Sequence, residues 1–234
     1  MKAVILAGGR GERLAPLTDT IPKAMVMVNG KPMLEILLLQ LRSVGIFTAV
    51  IVTHYLENKI KDYFGTGGRL GMNIKYIHQP ELKGNAHALL QCSLAVHDLR
   101  FLCIAVDSLF ETDLLLRLMA HKSNGTVTCK EVEDPRRYGV LMIQGRRVLE
   151  IIEKPEKAPS NLANFSVYVL PQEIFGAIRL IKPSRTGELW LTDAVNLLIK
   201  RGLRFEYEIA GQVLDIGTAQ QLEEAQGVAK ELGL

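Results

Sequence analysis

The strongest constraint on this chain is an alternation. "KAVILA" (residues 2–7) is a short apolar run bounded by glycine, the pattern of a buried parallel strand. "PMLEILLLQLRSVG" (32–45) follows with helical spacing, Pro32 in its first turn and Gly45 as a stop. The pair then recurs: strand "TAVIVTHY" (48–55) with helix "LENKIKDYFG" (56–65), and strand "NIKYIHQ" (73–79) with helix "NAHALLQCSLAVH" (85–97). Strand "RFLCIAVD" (100–107) and helix "ETDLLLRLMAHK" (111–122) close the series. Such repetition predicts an α/β fold, a three-layer, doubly wound, mostly parallel, Rossmann-like sheet.

The second half changes character. "GTVTCKEVE" (125–133), "YGVLMIQ" (138–144), "RVLEIIEK" (147–154) and "LANFSVYVL" (162–170) are strand-like with short connections, and "QGRR" (144–147) reads as a hairpin turn. Helix "WLTDAVNLLIKRG" (190–202), strands "LRFEYEIA" (203–210) and "VLDIG" (213–217), and helix "TAQQLEEAQGVAKEL" (218–232) complete the chain. The expectation is one domain, 1–234, with a β-rich portion added to the parallel sheet. No repeat or low-complexity linker divides it.

In open α/β sheets ligands bind beyond the carboxyl ends of the strands. There lies "AGGRGERLAPLTDTIPKAM" (7–25), rich in glycine and cations. It fails the Walker pattern, and "GRGERL" (9–14) has Leu14 where a dinucleotide fingerprint needs its third glycine. What remains is a solvated loop or an anion cradle built from backbone N–H groups, Arg13 and Lys23. Pro16 and Pro22 stiffen the stretch, which favours the cradle.

Composition excludes several classes. A net charge of +3 over 234 residues offers little for nucleic acid. The longest apolar run, residues 33–41, contains a glutamate and falls far short of the ~20 residues that span a bilayer, so no membrane partner is expected. The N-terminus lacks the apolar core of a signal peptide. Cys92, Cys103 and Cys129 are sparse and unpaired in spacing, which suits structural thiols in a reducing cytoplasm. The five histidines show no zinc-ligand spacing.

The loop resembles the signature of the sugar nucleotidyltransferases: a strand, then L-A-G-G-x-G-[TS]-R-L-x-P-L-T, then P-K. Here it reads "LAGGRGERLAPLTDTIPK". The resemblance continues in order through "GKPMLE" (30–35), "DPRRYGV" (134–140), "EKP" (153–155), "ANFSVYVL" (163–170), "LTDA" (191–194) and "LDIGT" (214–218). It covers essentially the whole chain, nearest to the glucose-1-phosphate thymidylyl- and uridylyltransferases.

The resemblance implies an enzyme that joins a nucleoside triphosphate to a sugar 1-phosphate and releases pyrophosphate. Residues 1–122 would mainly bind nucleotide and 123–234 mainly the sugar phosphate. Arg13 would contact the triphosphate, Lys23 bridge the phosphates of both substrates, and Lys154 hold the sugar phosphate. Leu6, Ala7, Gly8, Gly9 and Gly11 would close on the nucleotide, with Gln79 and Gly84 at the base. Tyr138, Gly139, Glu153 and Asn164 would line the sugar pocket, Glu153 accepting from sugar hydroxyls. Asp107 and Asp215, each ending a strand, correspond to the family's pair of Mg²⁺ aspartates; each alone could equally be a strand-end cap. The Gln79 amide offers one donor and one acceptor, matching the N3–H and carbonyl edge of uracil and thymine, so UTP or dTTP is expected. Relatives are often dimers or tetramers, which leaves a homo-oligomer open.

Four positions depart from the pattern: Glu12 for Thr or Ser, Asn85 for Thr or Leu, Val106 for Gly, and Ser166 for Gly. Asn85 is a good N-cap and is expected to start its helix. A regulatory subunit of the same fold is the competing reading, though Arg13, Lys23 and Lys154 are all present. A glycosyltransferase would usually show D-x-D, where "VDSLF" (106–110) has one acid.

Overall fold

A computed structural model describes residues 1–234. In chain order its elements are β1 (Ala3–Leu6), α1 (Leu17–Thr20), β2 (Met27–Val28), β3 (Lys31–Pro32), α2 (Met33–Ser43), β4 (Thr48–Thr53) and α3 (Glu57–Phe64). Next come β5 (Asn73–His78), α4 (Asn85–Leu90), β6 (Arg100–Ala105), β7 (Ser108–Phe110), α5 (Asp113–Ala120) and β8 (Gly125–Glu131). β9 (Gly139–Gln144), β10 (Arg147–Glu153), β11 (Leu162–Pro171), α6 (Ile174–Ile178), α7 (Leu191–Lys200), β12 (Phe205–Ile209), β13 (Val213–Asp215) and α8 (Ala219–Glu231) follow.

Nine strands form one sheet in the order β5-β4-β1-β6-β11-β8-β12-β10-β9. Its first half is parallel, as the alternation predicts: β1 lies between β4 and β6, and β5 beside β4. The rest corrects the expectation of a mostly parallel sheet. β11 runs antiparallel to β6 and β8, and β10 antiparallel to β9 and β12, leaving β8 and β12 as the one parallel pair there. A tight link such as the Gly145 turn between β9 and β10 can join only antiparallel neighbours. These later strands extend the same sheet instead of forming a layer of their own. β9 also pairs with β11 through Val140 and Ala163, which curls that end.

Each face of the sheet is covered. α2 contributes Leu34, Leu37, Leu38 and Leu41 to one core, with Ile60 and Phe64 of α3 and Leu114, Leu115 and Leu118 of α5. Each such side chain contributes roughly 1.5–3 kcal/mol by leaving water. On the other face α4, α6 and α7 pack Leu89, Phe175 and Leu198 over Cys103, Val127 and Tyr168. A smaller cluster joins Ala225 and Ala229 of α8 to Leu14, Val28, Leu109 and Ile216.

Two expectations shift locally. The helix expected over 85–97 ends at Leu90, and residues 91–95 form turns closed by Cys92 N–H to the Leu89 carbonyl and Ala95 N–H to the Cys92 carbonyl. Cys92 and Val96 still reach the core, so the apolar spacing mimicked a longer helix. β13, expected over 213–217, pairs with β7 outside the main sheet. No helix is long and apolar enough to cross a membrane.

Candidate functional site

The glycine-rich stretch after β1 is ordered by one of its own hydroxyls and by side chains around α3. Gly11 sits at φ +73 and opens a 3-10 turn over Glu12–Leu14, with Leu14 buried beneath it. The Thr18 hydroxyl donates to the Gly11 carbonyl at 2.8 Å, Tyr55 to Asp19 at 2.9 Å, and Lys59 to Thr20 at 2.6 Å. Arg10 lies over the Tyr55 ring at 5.2 Å. Gly8 has a different constraint: a Cβ there would stand 2.9 Å from Gln79 Oε1. The segment is thus tied to α3 and to the end of β5.

Two acids meet beside it. β7 pairs with β13 so that Asp215 faces Ser108, and the Ile216 N–H donates to the Asp107 carbonyl at 2.9 Å. Lys23 ion-pairs with the Asp107 carboxylate, and the Ser108 hydroxyl donates to Asp215 Oδ1 at 2.7 Å. Burial, and then the negative charge of Asp107, push the Asp215 carboxyl up to about 7. Lys23 supplies the one positive charge that this pair of carboxyls meets. No cluster of three or more His, Cys, Asp or Glu suited to a metal occurs, so a bound ion would complete its shell with water or phosphate oxygens, as Mg²⁺ does. Arg13 is exposed, its guanidinium lying against Gly217, where a Cβ would stand 2.7 Å from Nη2.

A cavity of about 320 Å³ opens at the carboxyl ends of the strands. Of the expected nucleotide-site residues, Leu6, Gly8, Gly9, Lys23, Gln79, Gly84 and Asp107 line it, while Ala7 is buried and Gly11 and Arg13 lie outside the lining. Gln79 is buried, its Nε2 3.2 Å from His87 Nδ1 and 3.4 Å from the Gly84 carbonyl. Three of the departures also line it: Asn85, Val106, and Ser166, which sits where β11 slips register against β8 between Phe165 and Tyr168. Such a bulge re-aims side chains.

Sequence reasoning missed Tyr168, Glu188 and Leu191 among the lining residues. Tyr168 and Leu191 lie inside motifs already recognised, but nothing local marks Glu188, which meets Gly84 only through the fold. Gly84 itself has φ +91, and a Cβ there would stand 2.5 Å from the Leu189 carbonyl, so packing against that loop already requires glycine. Asn85 corrects a further expectation. α4 starts without a side-chain cap, and Asn85 Oδ1 instead accepts the Leu191 N–H at 2.8 Å, capping α7.

None of the residues expected at the sugar lines this cavity. Gly139 faces Glu153 across β9 and β10, and a Cβ there would stand 2.9 Å from Glu153 Oε1. The Thr192 hydroxyl donates to that oxygen at 2.9 Å, while burial raises the Glu153 carboxyl despite it. The Tyr138 carbonyl accepts the Lys154 N–H at 2.9 Å, and Lys154, exposed, holds φ +44. Asn164 Nδ2 donates to the Tyr168 hydroxyl at 2.6 Å, and its Oδ1 is buried with no protein partner. All three cysteines are free and buried; burial pushes the Cys92 and Cys129 thiols up to about 12, so they are inert packing groups.

The chain matches the nucleotidyl transferase family over residues 2–231. It is 37% identical over 233 residues to the UTP–glucose-1-phosphate uridylyltransferase AglF of Haloferax volcanii, spanning 97% of this chain and 95% of that one. A bifunctional sugar-1-phosphate nucleotidylyltransferase/acetyltransferase of Sulfurisphaera tokodaii is 38% identical over 221 residues, and the chain spans 52% of its length. A Bacillus anthracis protein assigned as a glucose-1-phosphate thymidylyltransferase, solved with sucrose, superposes with a TM-score of 0.89 at 32% identity, over 99% of this chain and 96% of that one.

Proposed function

Because this chain belongs to the nucleotidyl transferase family, we propose that it transfers a nucleotidyl group from UTP or dTTP to a sugar 1-phosphate, releasing pyrophosphate. The observation that carries this reading is the meeting of Lys23, Asp107 and Asp215 beside a cavity that begins at the glycine stretch. A sugar phosphate oxygen must attack the α-phosphorus in line while a second polyanion sits beside it. Fixed cations oppose that repulsion, and no protein nucleophile is needed. Arg13 would take the triphosphate end, Lys23 the phosphates of both substrates, and Lys154 the sugar phosphate.

Asp107 and Asp215 would hold Mg²⁺, which when bound supplies charge neutralisation at the phosphates. The Lys23 ammonium pairs with the Asp107 carboxylate and is poised to move its hydrogen bonds to phosphate. Gln79 stands at the base end and supports a pyrimidine, its amide held by Gly84 and His87. Glu153 and Asn164 would meet the sugar hydroxyls, the buried unpartnered Oδ1 of Asn164 supporting that use. Inert thiols support a reducing, cytoplasmic setting.

The test is pyrophosphate release with Mg²⁺ across a panel of nucleoside triphosphates and sugar 1-phosphates. Turnover with UTP or dTTP is expected, reduced on the order of 10²–10³ in Arg13→Ala and Asp215→Ala. Turnover with GTP, CTP or ATP alone would overturn the pyrimidine reading. Nucleotide binding without turnover would favour a regulatory subunit.

A further inference from the structure

Residues 83–86, at the base end of the cavity and the start of α4, are joined by three hydrogen bonds to residues 189–191, which lead into α7. The Leu189 N–H donates to the Lys83 carbonyl at 2.8 Å, and the Ala86 N–H to the Leu189 carbonyl at 3.1 Å. The third is Leu191 N–H to Asn85 Oδ1, the one bond of the three made by a side chain. From there the connection runs onward without a gap. Leu191 is the first residue of α7, and the next, Thr192, donates its hydroxyl to Glu153. Asn196, one turn further, accepts from the Ile151 N–H and donates to the Ile151 carbonyl, both at 2.8 Å, which fixes α7 to β10.

We propose that Asn85 is a positioning residue that couples the nucleotide subsite to the sugar subsite, acting through the N-terminus of α7 on Glu153. The proposal rests on the nucleotidyltransferase reading above. Its physical basis is that α7 begins with unsatisfied N–H groups, and the acceptor for the first of them comes from the residue that opens α4. Ordering residues 82–86 around a bound nucleotide therefore orders Leu191, then Thr192, and so the carboxylate that Thr192 holds. With its Oδ1 committed to Leu191, the Asn85 amide keeps its Nδ2 as a donor at the cavity wall. Leucine at this position could do neither, and threonine would have to accept and donate through one shorter hydroxyl instead of two separate amide atoms.

The experiment uses hydrogen–deuterium exchange and steady-state kinetics on the wild type, Asn85→Ala and Asn85→Asp. In the wild type, saturating UTP alone should slow exchange at residues 190–200 and also at 147–153. Asn85→Ala should bind UTP yet lose the protection at 147–153. Asn85→Asp, which keeps an acceptor for Leu191, should retain it even though its charge weakens UTP binding. With glucose 1-phosphate as the probe, Asn85→Ala should raise the KM for sugar phosphate about fivefold, the worth of one helix cap, with kcat within about twofold. Equal protection in Asn85→Ala and wild type, or loss in Asn85→Asp as in Asn85→Ala, would overturn the coupling. A wild type that binds no UTP would overturn the nucleotide reading and the coupling with it. A wild type that binds UTP and protects only 190–200 would overturn the coupling alone.

Discussion

Lys154 holds its backbone at φ +44, a conformation that an L-residue other than Asn or Asp adopts at a cost of roughly 1–2 kcal/mol. It follows Glu153 at the end of β10, and its N–H is committed to the Tyr138 carbonyl, so the fold imposes the turn. Strain of this kind is retained where a side chain must point somewhere particular. Lys154→Gly is expected to raise the melting temperature by about 2–4 °C, since glycine takes this φ freely. The same substitution should lower kcat/KM on the order of 10²-fold if Lys154 holds the sugar phosphate as proposed. A calorimetric scan and the pyrophosphate assay on one preparation check both; a variant less stable than the wild type would refute the strain argument. "EKP" marked Glu153 and Lys154 as candidates in the sequence, because a motif singles out side chains without recording their backbone. The left-handed turn was not legible, because lysine carries no local signal for positive φ. Asn85 failed for a related reason: its capping preference was readable, but the helix it caps begins more than a hundred residues later.

At the scale of elements, two junctions make sharper predictions than the helices themselves. β8 and β12 pair with Gly125 opposite Phe205, and a Cβ on Gly125 would stand 2.3 Å from the ring. The buried ring fills the space the glycine leaves, so Gly125→Ala should destabilise by about 1–3 kcal/mol through overpacking. Adding Phe205→Leu should recover part of that loss, a non-additivity readable by urea denaturation. The second junction is the turn from β4 into α3. Burial alone would raise the Glu57 carboxyl, but hydrogen bonds from Thr53, Lys61 and His78 outweigh it and hold it at about 2. Because the folded value lies below the ordinary 4.5, this contribution is complete above about pH 4.5 and vanishes as pH falls toward 2. After solvent screening it amounts to about 1 kcal/mol. Glu57→Gln should therefore flatten the fall in melting temperature between pH 4.5 and 2, and an unchanged slope would assign that fall to other carboxylates. The parallel elements on this side were legible because strand–helix alternation permits little else. Neither junction was, since both depend on which residues meet across the sheet.

For the whole molecule the open matter is how the halves share their stability. The sequence changes character near residue 123, and short connections there predicted antiparallel neighbours locally, as at the β9–β10 turn. Their order in the sheet was hidden, because an apolar strand reads alike whichever way it runs. In the structure β11, from the second half, joins the parallel half directly, with Val167 opposite Ile104 and Val169 opposite Leu102. Phe165, Val167 and Val169 thereby enter the same core as Ala3, Leu34 and Leu38, while Phe205 shares the opposite core with Val4 and Leu89. Neither core can open in one half alone without exposing side chains of the other. Leu38→Ala should cost about 2–5 kcal/mol and Phe205→Ala about 3–5, and each should shift one common unfolding transition. Trp190, the single tryptophan, stands before α7 and reports on the second half by its fluorescence. Far-UV circular dichroism reports on both. Coincident midpoints by the two probes in the wild type and both variants are expected. Two separated transitions, with Leu38→Ala moving only one of them, would mean that the seam between β6 and β11 is weaker than its shared cores imply.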